Sequence, residues 1–256
     1  MMKAAFFDVD GTLYSHNIHG VPESSIRALE ELRKNGILVF LATGRHFTEI
    51  EDLKMDHILF DGYVMLTGQL CTDGEKNIIF GNAIKPESAK FLFDAFETKE
   101  LPLMMVEKDS LYVNMVNAVV EDAQAGISSP VPPIGEYTGA PIYQMVSYGG
   151  KDLEELLAEK VPECIVTRWS PFGVDIISKN GGKVVGIEKM LEHHGITKEE
   201  IIAFGDGEND LEMLAFAGVG VAMGNADEEV KEVADYVTTD IDDDGIWNAC
   251  KHFNLI

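Results

Sequence analysis

Apolar positions follow two rhythms along this chain. Continuous apolar runs at Ala4–Phe7, Ile37–Ala42 and Ile201–Phe204 end in polar residues or glycine, the pattern of strands buried on both faces. Pro22–Asn35 instead spaces Ile26, Leu29 and Leu32 three apart, opens with proline and acid, and stops at Gly36, which predicts an amphipathic helix. Strand, helix and strand over short loops imply a right-handed parallel crossover. A helix over Phe47–Leu53 and a strand near Ile58–Leu66 continue the alternation.

From about Gly81 the rhythm changes. Helices are expected over Pro86–Lys99, Asn117–Gly126 and Asp152–Lys160, and strands over Leu103–Glu107, Leu111–Met115, Ile142–Tyr148, Glu163–Trp169 and Gly173–Ser178. Ser128–Pro141, with four prolines, reads as a loop. The first rhythm returns in Lys183–His194 (helix), Ile201–Phe204 (strand), Leu211–Ala217 (helix), Val219–Met223 (strand), Asp227–Ala234 (helix) and Tyr236–Thr238 (strand). The fold class expected is α/β, a doubly wound, Rossmann-like parallel sheet core carrying an inserted α+β domain. Residues 1–82 and 182–256 would form the core, and 83–181 the insertion.

Composition narrows the partners. A formal net charge of −24 argues against a nucleic-acid surface, since phosphate-backbone binding depends on basic patches. It does not exclude a small anionic substrate, because a bound metal and a few local cations reverse the field inside a cleft. Cys71, Cys164 and Cys250 are odd in number and far apart, as thiols of a reducing compartment are. The apolar run of MMKAAFFDVDG is too short for a signal peptide, and no run of about 18 apolar residues occurs elsewhere. A soluble, cytoplasmic chain, a monomer or small homo-oligomer without membrane or nucleic-acid partners, is the expectation.

Three apolar strands run into polar residues of catalytic type: Phe7 into Asp8-Val9-Asp10-Gly11-Thr12, Leu41 into Ala42-Thr43-Gly44-Arg45, and Phe204 into Gly205-Asp206-Gly207-Glu208-Asn209-Asp210. In a parallel sheet these ends would share one crevice. Residues two apart in extended backbone point the same way, so Asp8 and Asp10 would converge unless the strand breaks first. Their repulsion calls for a divalent cation, and hard oxygen ligands without histidine or thiol favour Mg²⁺. A carboxylate beside a metal can attack phosphorus, and a second can pass the proton. Thr43, backbone N–H groups such as that of Gly44, and Lys183 would stabilise the phosphoryl oxygens. Each motif alone has a plainer reading: aspartates often end strands as turn formers, GDGEND can cap the helix after it, and most lysines are solvated. What separates this chain is that all of them occur in order, each at a strand end or helix start.

DVDGT at 8–12, TGR at 43–45, Lys183 and GDGEND at 205–210 resemble the four motifs of the haloacid dehalogenase superfamily. The insertion, with VAMGNA (221–226) and TTDIDDDGI (238–246), is similar to its Cof-type phosphatases, which carry the larger α/β cap. The resemblance implies hydrolysis of a small phosphorylated metabolite, with Asp8 as nucleophile and Asp10 as acid/base. It implies Mg²⁺ on Asp8, the Asp10 main-chain carbonyl and Asp206. Thr43, Gly44, Lys183 and Asn209 would surround the phosphate, with Thr12 and Asp210 behind the metal ligands. Thr67 and Val184 depart from the family's frequent asparagine and glycine. An acid at position 10 is similar to phosphatases and mutases rather than to ion pumps. A phosphotransferase or mutase of the same architecture, and a non-catalytic phosphometabolite-binding regulator, are the alternatives. Tyr112, Asn114, Tyr143, Arg168 and Trp169 of the insertion are candidates for facing substrate, while Met104, Met105 and Met115 read as core.

Overall fold

The computed structural model describes residues 1–55, 57–126 and 129–256. They divide into two compact units, Met1–Phe80 with Gly182–Ile256, and Gly81–Gly181. The first unit opens with β1 (Ala4–Phe7), α1 (Glu23–Lys34), β2 (Leu38–Ala42), α2 (Phe47–Asp52), β3 (Gly62–Met65), β4 (Leu70–Asp73) and, at the boundary, β5 (Ile78–Gly81). The second holds α3 (Lys90–Thr98), β6 (Leu103–Val106), β7 (Leu111–Val113), α4 (Ala118–Gly126), β8 (Gln144–Tyr148), α5 (Asp152–Lys160), β9 (Cys164–Ser170) and β10 (Gly173–Ser178). The chain re-enters the first unit through α6 (Lys183–His194), β11 (Ile201–Gly205), α7 (Leu211–Phe216), β12 (Val219–Ala222), α8 (Glu228–Val233), β13 (Tyr236–Val237) and α9 (Gly245–His252).

The first unit's sheet runs β13-β12-β11-β1-β2-β3-β4-β5. From β13 to β3 neighbours are parallel, and β4 is antiparallel to β3. Its centre is β1, every residue of which is fully buried. Register there is set by aromatic pairs between directly opposed residues. Phe6 faces Phe40 of β2 with ring centroids 4.8 Å apart, and Phe7 faces Phe204 of β11 at 4.7 Å. Successive side chains alternate, so the two stacks lie on opposite faces and a slip of one residue would undo both. Phe6 and Phe40 share a core with Ile187 and Met190 of α6, Met213 and Leu214 of α7 and Val230 of α8. Outside the sheet α1 packs against α9, where Arg27 lies 4.7 Å from the Trp247 ring centroid. The doubly wound α/β reading holds.

The second unit is a sheet in the order β7-β6-β8-β10-β9 with antiparallel pairing throughout. One face is packed by Leu92, Phe93 and Phe96 of α3 and Leu153 and Leu157 of α5, and the other by Val120 and Ala123 of α4. Met105 is core on the first face and Met104 packs, partly buried, on the other, while Met115, past the end of β7, is only half-buried. Asn114 and Arg168 are engaged within the unit instead. Buried Asn114 accepts from Leu103 N at 2.9 Å and donates to the carbonyls of Phe96 and Leu101. Arg168 donates to Glu154 at 2.6 Å and to the carbonyls of Ser170 and Gly150. Tyr112 and Tyr143 are buried. The loop expected to begin at Ser128 is irregular from Ser129 on, and Ser128 itself lies outside the described residues.

Three elements escape the sequence pattern. β4 and β5 are four residues each, and the turn between them is an aspartate motif in which Asp73 accepts from the N–H groups of Glu75 and Asn77. α9 comes after an acidic loop that hides its amphipathic start, yet it buries Ile246, Ala249 and Cys250. The helix expected from Pro86 begins only at Lys90, because Ala89 takes φ −127° and residues before it form a turn on the Lys85 carbonyl.

The turn between β3 and β4 abuts the start of α6. Gly68 has φ +80°, and a Cβ there would collide with the Gly182 carbonyl that precedes Lys183. Gly68→Ala therefore strains its own backbone and displaces that helix start. A loss of about 2–4 kcal/mol is expected in a denaturant midpoint measurement.

Candidate active site

β2, β1 and β11 are adjacent and parallel, so the loops that leave their carboxyl ends emerge side by side. β1 stops at Phe7, and Val9 O then accepts from the N–H groups of Leu13 and Tyr14, turning the chain back. The strand breaks before Asp10, and the two aspartates part company.

Asp8, 5% exposed, turns into the unit. Lys183, the first residue of α6 and 3% exposed, donates from Nζ to Asp8 Oδ1 and to Asp210 Oδ1, each at 2.6 Å. Asp210 is completely buried, and its other oxygen accepts from the backbone N–H groups of Asp206 and Gly207, each at 3.1 Å. Thr12 Oγ1 donates to Asp206 Oδ1 at 2.8 Å. Gly11 passes so close to the Asp206 carboxylate, at φ +76°, that no side chain fits there. Carboxylate oxygens of Asp8, Asp206 and Asp210 lie within 4.8 Å of one another.

The electrostatics are lopsided. Three carboxylates face one ammonium, which leaves two negative charges in a mostly dry pocket. Burial drives the Asp8 carboxyl well above its ordinary value, Lys183 opposes this, and Asp210 adds to it. Burial likewise raises Asp206 to about 6, against Thr12's hydrogen bond and with Asp210's charge. Burial would discharge Lys183, but Asp8 and Asp210 outweigh it and hold the ammonium charged. A purely oxygen donor set with two surplus charges fits a hard divalent cation.

Asp10 has other partners. Arg45 Nε donates to its Oδ2 at 2.6 Å and Nη2 to its Oδ1 at 2.8 Å, while His16 Nε2 lies 2.9 Å from Oδ1. Burial pushes this carboxyl up, but Arg45 and His16 together hold it below the ordinary range. Thr43 is buried, its Oγ1 accepting from Arg45 N at 3.1 Å, and Gly44 lies between them. Asn209 is exposed in the short 3₁₀ turn Glu208–Asp210 and takes no part in the hydrogen bonds joining Asp8, Lys183 and Asp210. The TGR motif points to Thr43 and Gly44, and Arg45 is a site residue that the fold reveals. Its position two residues past Thr43, on the same strand end, was the available signal. Asn225, which donates to Gly11 O at 2.7 Å and accepts from Ile241 N, also ties this edge together.

A family model described as haloacid dehalogenase-like hydrolase matches residues 5–250. The chain belongs to the haloacid dehalogenase-like hydrolases. Bacillus subtilis (strain 168) YkrA, itself only provisionally called a phosphatase, is 31% identical over 99% of this chain and 98% of its own. The same organism's 5-amino-6-(5-phospho-D-ribitylamino)uracil phosphatase YitU is 28% identical over 96% of this chain and 95% of its own. A solved phosphatase of the superfamily from Bacteroides thetaiotaomicron superposes with a TM-score of 0.89 at 32% identity, covering 100% of this chain and 96% of that one. A sugar phosphatase of subclass IIB gives 0.82 at 37% identity, with full coverage of both. The Cof-type kinship expected from the motifs holds.

The charge balance has two measurable consequences. Lys183→Met leaves Asp8 and Asp210 buried without a counter-ion, and unfolding in EDTA at pH 8 should show a loss of about 3–5 kcal/mol, smaller at pH 5 where protons replace the ammonium. For Asp206, a carboxyl raised to about 6 in the fold from an ordinary 3.8 binds its proton more tightly than in the unfolded chain. Its stabilising contribution is present at pH 4 and lost as the pH rises to 6. In thermal melts with EDTA, wild type should therefore lose ground to Asp206→Asn across that interval.

Proposed function

We propose that this hydrolase cleaves a small phosphomonoester with Mg²⁺, the phosphoryl passing through an aspartyl-phosphate on Asp8. The observation that carries this reading is the single ammonium of Lys183 bridging Asp8 and Asp210, with Asp206 within 4.8 Å.

Asp8 and Asp206, with the Asp10 main-chain carbonyl, would hold the cation. Asp210 is less available, since Lys183 and two backbone N–H groups already occupy its oxygens. When bound, Mg²⁺ supplies positive charge against the phosphate oxygens and the nucleophile. Asp8 forms a bond to phosphorus while the ester P–O bond breaks and the leaving alkoxide takes a proton from Asp10. Asp10 then removes a proton from water, whose oxygen bonds phosphorus as the Asp8–phosphorus bond breaks, and orthophosphate leaves. Arg45 and His16 hold Asp10 ionised in the free site. The proton it gives the alkoxide is therefore one it takes up from the phosphate ester binding as its monoanion, and losing that proton readies it for the second half. Thr43, the Gly44 N–H, Lys183 and Asn209 would surround the phosphoryl oxygens, with Thr12 orienting Asp206.

Residues 83–181 would serve as the cap that selects the leaving group and excludes water. Two of the similar proteins act, by name, on a phosphorylated uracil derivative and on sugar phosphates. The substrate class of this chain is accordingly a phosphorylated small metabolite. Cys71, Cys164 and Cys250 are all free and buried, which supports a cytoplasmic setting. Among the described residues no helix is long and apolar enough to cross a membrane.

A generic aryl phosphate should be turned over with Mg²⁺ and not in EDTA. Asp8→Asn should lower kcat by about 10³-fold or more while the melt stays cooperative. Undiminished turnover in that variant would refute the mechanism. Absence of turnover by wild type across a broad phosphate panel would favour a binding protein instead.

A further inference from the structure

The loop from Ser15 to Gly20 lies outside the carboxylate cluster, yet it is built to press one side chain onto Asp10. Ser15 and Gly20 exchange both backbone hydrogen bonds, Ser15 N to Gly20 O at 2.9 Å and Gly20 N to Ser15 O at 3.1 Å. Inside this closed hairpin Asn17 N donates to Ser15 Oγ at 3.3 Å. Its tip is tied to a distant part of the chain, because Asn17 Nδ2 donates to Asp242 Oδ2 at 2.7 Å. Tyr14, buried at the hairpin's base, meets the His16 ring edge-on with centroids 5.3 Å apart. These contacts leave His16 with its Nε2 2.9 Å from Asp10 Oδ1.

That oxygen already accepts from Arg45 Nη2, and Arg45 Nε takes the other. A guanidinium and a carboxylate joined by two parallel bonds can swing together as one plate, since both sit on rotatable side chains. A third donor arriving from a separate loop removes that freedom. Because an ionised carboxylate only accepts, Nε2 must carry the hydrogen, and a neutral imidazole in that tautomer serves as well as a charged one.

We propose that His16 is a positioning residue for Asp10, a donor that fixes the carboxylate where it exchanges protons with the leaving group and water. The proposal rests on the reading of Asp10 as acid/base. His16 is more than half exposed, so the effect expected is moderate.

The experiment uses the full chain with Mg²⁺ and an aryl phosphate. His16→Ala should lower kcat about five- to tenfold with KM changed less than about twofold, the loss of one exposed donor to a charged acceptor. His16→Gln, whose amide N–H can reach the same oxygen, should recover most of the rate. Asn17→Ala, which frees the hairpin tip, should lower kcat in the same sense by a smaller factor. In an Asp10→Asn background His16→Ala should change nothing further, because the two act as one unit. Wild-type kcat in His16→Ala, a rise in KM alone, a His16→Gln variant as slow as His16→Ala, or full additivity with Asp10→Asn would each overturn the proposal. Asp8→Asn keeps the two readings apart. If it is inactive while His16→Ala is fully active, hydrolysis through Asp8 stands and the positioning role falls.

Discussion

The first unit is organised around a buried ammonium between two buried carboxylates. Lys183 touches Asp8 and Asp210 at 2.6 Å each, and none of the three has appreciable access to water. Such a cluster is poor evidence of net stability, since desolvating the ions consumes most of their attraction. Its importance lies in what it forbids. With one member displaced, uncompensated charge remains in a dry interior, so the ends of β1, β11 and α6 are constrained to one arrangement. Gly68 and Gly11 show how little slack remains, for a single methyl at either would strike the Gly182 carbonyl or the Asp206 carboxylate.

The fold also gives different partners to two aspartates that look alike in the chain. Asp8 is left short of positive charge, and burial pulls its carboxyl upward. Asp10, two residues on, is pulled the other way by a guanidinium and an imidazole. The turn on the Val9 carbonyl separates them, and that turn exists because β1 ends at Phe7. Their difference in electrostatic setting thus originates in a local backbone event and is amplified by partners from other segments of the chain.

Much of this was legible beforehand because it depends on short-range rules. Continuous apolar runs ending in polar residues and glycine mark the three strands whose carboxyl ends hold the motifs, and the boundaries of α5 and α6 coincide with their periodic stretches. β4 and β5 are not legible, because LCTD gives two apolar residues and then two polar ones, and IIFG, on the sheet's edge, is half-buried or exposed, so neither shows a buried run or an alternation. Asn114 and Arg168 appeared available for substrate because alternation along a strand says which side a residue takes, not what else occupies that side. In the fold Phe96, Leu101 and Leu103 claim the first, and Glu154 with nearby carbonyls the second.

The sequence by itself determined the two rhythms, the order of the acidic motifs and the family they resemble, since periodicity and spacing are properties of the chain. Only the tertiary structure decided which charges meet. Lys183 lies 175 residues from Asp8 and 27 from Asp210, Arg45 lies 35 from Asp10, and Asn17 lies 225 from Asp242. Nothing in the intervening sequence specifies those pairings. They arise from parallel strands that bring distant loops to one edge of a sheet, and from the cost of leaving any buried charge there without a partner.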